Sequence, residues 1–275
     1  MREAVVSGSF YEEDSGSLRE QIKSCFLSKF GPGKLPGKAT KETAGVICPH
    51  AGYVYSGPCA AHSYKAVAES KKPDLFILLG LSHSGYGSCV SLDDWKTPLG
   101  IAKIDKEFGK LLVKNGLEQN EMAHEEEHSI EVQIPFLQYV LEDFKFVPII
   151  ISDYAAANAV KKAVEQSGKK VMFIASSDFT HYGSNYGYAP FKTDVKNKMH
   201  ELDAGAIEQI KKIDAKGFLD YVKKTGATVC GKMPISAMLG CIEANKSELL
   251  KYYTSADISG SDYSTAVGYA SIRFF

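Results

Sequence analysis

Hydrophobic positions change their period along this chain, and the changes mark out its elements. Leu18, Ile22, Phe26 and Phe30 recur every four residues, the spacing of one helix face, which predicts a helix over 16–30. The glycine- and proline-rich stretch from Gly31 to Gly37 ends it, and is too short to link two domains. Continuous apolar runs then appear at 44–48 (AGVIC), 74–80 (DLFILLG), 146–151 (FVPIII) and 170–175 (KVMFIA). Unbroken rather than alternating hydrophobicity is the mark of strands covered on both faces. Helical spacing separates them at 58–69, 105–115, 128–142 and 155–167, with Pro135 expected to kink or break the third. Helices at 188–211, 214–224 and 234–246 follow, then strands at 248–256 and 264–274. This rhythm predicts one α/β domain over residues 1–275, a central mixed, largely parallel sheet with helices on both faces.

Composition narrows the function. A hydrophobic fraction of 44% and a charged fraction of 24% belong to an ordinary globular chain. The net charge of -1 gives no electrostatic case for nucleic acid. The segment Met1–Gly8 has no apolar signal core and no stretch approaches a membrane span, so a cytoplasmic protein without membrane association is expected. Six scattered cysteines without a CxxC pair fit a reducing compartment, most of them as small core side chains.

The polar residues that follow the apolar runs carry the candidate chemistry. Three runs end in Cys48-Pro49-His50, Gly80-Leu81-Ser82-His83 and Ser176-Ser177-Asp178-Phe179-Thr180-His181. Ligands of open α/β sheets bind beyond the carboxyl ends of the strands, where such loops converge. One loop histidine is usually a surface residue, but three in equivalent positions point to a shared cleft. Imidazole is both the commonest metal ligand and the usual acid/base near neutral pH. Asp178 could orient an imidazole, join a coordination shell or cap a helix. Cys230 lies in a Cys-Gly turn before a helix, a setting that favours thiolate, the form that binds metal.

His124 to His128 satisfies H-E-x-x-H, the zinc-protease signature, but its intervening residues are all glutamates, poor material for a buried helix. His124 is therefore expected to be exposed and away from the cleft, with a helix starting near His128. Glu127 and His128 could still face the cleft.

Together these stretches resemble the MEMO family: PHAGYVYSGPCAAHSY (49–64), GLSHS (80–84), EEEHSIEVQIPF (125–136), SSDFTHYG (176–183), VCGKMPI (229–235) and the opening SGSFYEED (7–14). The likeness runs from about residue 2 to the end, and implies a fold like that of the class III extradiol dioxygenases. By the family's motifs His50, His83 and Cys230 would be metal ligands, with Asp178 and His181 lining the same pocket. His181, oriented by Asp178, would then be the catalytic acid/base. Thiolate in place of the dioxygenases' carboxylate turns the preference towards copper or zinc, with Fe(II) still open. Two functions follow: an iron- or copper-dependent, dioxygenase-like oxidoreductase acting on a small aromatic molecule, or a non-catalytic module that binds a small molecule or peptide. In the second, Tyr53, Tyr55 and Tyr182 would wall the pocket.

Overall fold

The computed structural model describes all residues 1–275. Its strands are β1 (Gly45–Cys48), β2 (Leu75–Gly80), β3 (Cys89–Val90), β4 (Trp95–Thr97), β5 (Gly100–Ile104), β6 (Glu118–Gln119), β7 (Lys145–Ile150), β8 (Val171–Ser176), β9 (His181–Gly183), β10 (Ser247–Thr254) and β11 (Thr265–Phe274). The helices are α1 (Ser15–Leu27), α2 (Tyr53–Ala68), α3 (Lys106–Lys114), α4 (Glu121–Glu125), α5 (Ile134–Val140), α6 (Ala156–Ser167), α7 (Val195–Lys211), α8 (Ala215–Thr225), α9 (Lys232–Cys241) and α10 (Ser255–Ser259).

Every apolar run of the sequence is a strand of one mixed sheet, in the order β10-β11-β1-β8-β2-β7-β3-β6. The four central strands β1, β8, β2 and β7 run parallel. The C-terminal strand β11 closes antiparallel on β1, and β10 on β11. Period-two alternation divides the strand side chains between two cores, as expected of strands covered on both faces. Leu75, Ile77 and Leu79 face one core with α6 and α9, whereas Phe76 and Leu78 face the other with α1, α2 and α5.

Local sequence explains most helix ends. Asp14 caps α1, accepting from the Ser17 N–H at 2.8 Å, and Leu18, Ile22 and Phe26 bury the predicted stripe. Phe30, placed in that helix by its spacing, lies past the end of α1, which stops at Leu27. Helix α2 begins at Tyr53, five residues before the predicted start, and carries Pro58 inside it. The predicted helix 128–142 is broken as Pro135 requires: a short 3-10 turn over Glu131–Gln133 leads into α5, with the proline in its first turn. Helix α7 starts only at Val195, after Asp194 adopts a left-handed conformation at φ 53°.

In the sheet β8 lies between β1 and β2, so the loops after these three strands are immediate neighbours at the carboxyl edge. That adjacency builds the site.

Candidate functional site

His50, His83, His128, Asp178 and His181 all line one cavity of about 540 Å³, with Phe10, Tyr55 and Tyr186 among its walls. The donor atoms of His50, His83 and His128 lie within 4.8 Å of one another, and so do those of His50, Asp178 and Cys230. His50 is common to both groups. His83 and Cys230 share no such group, and His181 belongs to neither. The Cys230 sulfur is 3.3 Å from His50 Nε2.

Hydrogen bonds fix which nitrogen of each imidazole faces the cavity. His50 Nδ1 is 2.9 Å from Ser176 Oγ. That hydroxyl donates its one proton to the Ser129 carbonyl at 2.5 Å and also accepts from Gln133 Nε2. His50 must therefore donate from Nδ1, and its lone pair lies on Nε2 beside the sulfur. His83 donates from Nδ1 to the Glu127 carboxylate at 3.0 Å, and Glu127 also accepts the backbone N–H of His83 at 2.7 Å and of Ser129 at 2.7 Å. His181 Nδ1 faces only carbonyls, of Phe179 at 2.9 Å and Thr228 at 3.2 Å, so it too is the protonated nitrogen. In the neutral form of each of these three imidazoles Nε2 is therefore the free base, the arrangement in which an outer acceptor orients a ligand or a proton acceptor.

Burial sets the charge states. It lowers His50 to about 3, reinforced by neighbouring His83, and lowers His128 to about 4, reinforced by His50. Both are neutral at pH 7. The Glu127 hydrogen bond raises His83 against its own desolvation. Burial is the largest single influence on Glu127 and would raise it, but the His83 ring, its charge and the backbone N–H groups of His83 and Ser129 together outweigh it and bring the carboxyl to about 2. Asp178 accepts the His50 backbone N–H at 2.8 Å, and burial pushes its carboxyl up.

The helix that follows Cys230 was expected to favour thiolate. Burial instead pushes this thiol up, although the Asp178 N–H donates to the sulfur at 3.2 Å. Without a cation the group is a thiol. Gly231 makes the approach possible, because a Cβ there would sit 2.5 Å from the Ser176 carbonyl.

His124 departs from expectation. It is fully buried, 0% exposed, in the last turn of α4, its ring against Trp95 and Nε2 3.7 Å from Cys89 Sγ. The glutamate run misled because α4 is packed by a distant residue: Arg2 donates to the His124 and Glu127 carbonyls at 3.0 and 2.8 Å. Helix α4 ends at Glu125, so His124 and His128 do not share a helical turn, and the protease geometry is absent. His128 instead stacks on His83 with ring centroids 4.5 Å apart and meets Phe10 edge-on. Tyr53 and Tyr182 are buried, with hydroxyls on the Val132 and Phe191 carbonyls, and only Tyr55 of the three expected wall residues reaches the cavity. Ser176 and Gln133 gave no signal in the sequence, since a polar residue inside an apolar element is recognisable only once its partner is known.

The comparisons with known proteins agree with this architecture. The family model described as "Memo-like protein" matches residues 2–273. A MEMO1 family protein of Methanopyrus kandleri is 41% identical, with 99% of this chain and 98% of that one covered. One from Nitrosopumilus maritimus is 42% identical over 100% of this chain and 99% of its own. A crystal structure of an uncharacterized protein from Escherichia coli K12 aligns with a TM-score of 0.51 at 12% identity, covering 85% of this chain and all of that one, a likeness of fold alone. With matches spanning nearly its whole length, the chain belongs to the MEMO family.

Proposed function

We propose that the chain is a metal-dependent redox enzyme of dioxygenase type, acting on a small phenolic or similar aromatic molecule. His50, His83 and Cys230 would hold Fe(II) or copper, with zinc as the redox-silent competitor. One observation carries this reading: His50 and His83 both engage Nδ1 in a hydrogen bond and leave Nε2 for a single cavity, with a thiol 3.3 Å from the first.

His50 and Cys230 stand as such an ion needs, and His83 lies within 4.8 Å of His50 although in no such group with Cys230. A nitrogen and a sulfur ligand with bonds of about 2.0 and 2.3 Å stand roughly 3.5 Å apart around a tetrahedral centre, close to the 3.3 Å between His50 Nε2 and Cys230 Sγ. A buried neutral imidazole needs no deprotonation before binding, and a cation would replace the Cys230 proton. His128 and Asp178 stand within reach as further donors. The bound ion would supply Lewis acidity and, as iron or copper, one-electron chemistry.

The chain's own residues supply the rest. Glu127 locks the His83 ring, and Ser176 the His50 ring. His181 Nε2, freed by the two carbonyls on Nδ1, takes the proton of a substrate hydroxyl. Phe10, Tyr55 and Tyr186 provide aromatic walls, with His181 and Tyr186 edge-to-face at 5.1 Å. Elemental analysis of anaerobically purified protein, followed by oxygen uptake with catechols and simple phenols, tests the proposal. It requires about one iron or copper per chain, metal loss in His50→Ala and Cys230→Ser, and phenol-dependent oxygen consumption. Equal metal content in wild type and both variants refutes the ligand set; loaded protein inert towards every phenol refutes the reaction.

A further inference from the structure

The loop that carries Asp178 and His181 is held by a carboxylate from outside the cleft. Asp203 on α7 is 0% exposed, yet the groups bonded to it are all uncharged. Its Oδ1 accepts the Thr180 hydroxyl at 2.5 Å and the Thr180 backbone N–H at 3.2 Å, and its Oδ2 accepts the Tyr252 hydroxyl at 2.7 Å. Burial pushes this carboxyl up to about 6. A buried acid without a cation is expensive, and an apolar side chain of similar size would serve packing better.

The surrounding backbone is arranged to admit it. Gly268 of β11 also clasps this loop, accepting from the Phe179 N–H at 2.8 Å and donating to the Thr180 carbonyl at 3.0 Å. A Cβ at Gly268 would collide with Asp203 Oδ2 and lie 3.1 Å from Phe179 Cβ. The missing side chain therefore makes room for the carboxylate. Phe179 and Thr180 are both fully buried, so the loop's middle is clamped while its two ends face the cavity with Asp178 and His181.

We propose that Asp203 is a positioning residue: through Thr180 it fixes the 178–181 loop, and thereby the Asp178 carboxylate beside His50 and the tautomer of His181. The part concerning metal affinity rests on the reading of the cleft as a metal site. The part concerning His181 does not, because its Nδ1–H donates to the Phe179 carbonyl within the clamped loop itself.

The experiment compares wild type with Asp203→Asn in two measurements. Cobalt(II), added to metal-free protein, reports affinity and, through its thiolate charge-transfer band, the Cys230 contact. Long-range proton–nitrogen NMR of the metal-free protein reports which nitrogen of His181 carries the proton. Expected for Asp203→Asn are an intact fold, cobalt affinity about tenfold weaker, the scale of losing an outer partner of a metal site, and a mixed His181 tautomer in place of a single Nδ1–H form. A variant that only melts earlier, with affinity and tautomer as in wild type, overturns the proposal. Should Asp203→Asn not fold, Thr180→Val decides by the same two measurements, and Thr180→Ser, which keeps the hydroxyl, should restore wild-type values. If wild type binds no cobalt, the metal reading falls, and the His181 tautomer alone decides whether Asp203 positions the loop.

Discussion

Replacing Arg2 by methionine should destabilise this protein more than any exposed charge change, and the structure sets the scale. Arg2 is 6% exposed, its Nη1 2.5 Å from Glu131 Oε2, and Glu131 is fully buried. The same guanidinium bonds to the His124 and Glu127 carbonyls and lies 4.2 Å above the Trp95 ring. Removing one partner of a buried pair costs about 3–5 kcal/mol, because the other charge stays buried. Glu131 keeps the Val5 and Val6 N–H groups and the Tyr11 hydroxyl at 2.6 Å, which places the pair at the low end. Two orphaned carbonyls add about 1 kcal/mol each, so a total near 5 kcal/mol is expected. At roughly 2 °C per kcal/mol for a chain of this size, the melting temperature should fall by about 10 °C. Urea titration and calorimetry of Arg2→Met measure both. The double change Arg2→Met with Glu131→Leu should cost less than Arg2→Met alone, since it removes the stranded carboxylate. A loss below about 1 kcal/mol for the single variant, or a double variant worse than the single, would refute the reasoning.

Cys230→Ser should lower copper(I) affinity by more than ~100-fold while changing metal-free stability by less than ~1 kcal/mol, because a serine hydroxyl can still meet the Asp178 N–H; metal titration and melting curves measured together check this. Gly231→Ala should cost about 1–3 kcal/mol by urea titration, since its Cβ would press on the Ser176 carbonyl and Ser177. For pH, burial lowers His124 from 6.5 to about 4, so the unfolded chain binds the extra proton first. Stability is lost as pH falls from about 6.5 to 4, by about 3 kcal/mol from this one group. His124→Phe should abolish that part of the acid loss with little change at pH 7, because Nδ1 of His124 has no partner to lose. An unaltered pH profile would show that His124 is not the group responsible.

Much of the fold was legible because its cause is local. A fully covered strand must be apolar throughout, so β1, β2, β7 and β8 stood out as runs, and the four-residue stripe of α1 follows from one helix turn. Strands β3 and β6 have two residues each and β4 three, too short for any period to show. The post-strand positions of His50, His83, Asp178 and His181 identified the cleft because parallel strands put their carboxyl ends on one edge. The placement of His124 failed for the complementary reason. Its neighbours in sequence are glutamates, but its burial is imposed by Arg2 and Trp95, 122 and 29 residues away.

The sequence by itself determined which residues are apolar, with what period, and which polar groups end the strands; these are properties of neighbours along the chain. Tertiary structure alone decided that β8 lies between β1 and β2, that Cys230 meets His50 across 180 residues, and that Glu127 rather than Glu126 grips His83. It also decided charge. The helix beside Cys230 favours thiolate locally, yet desolvation by the whole fold pushes the thiol up. Strand order, hydrogen-bond partners and burial depend on segments far apart in the chain, and a short stretch of sequence carries no record of what will be packed against it.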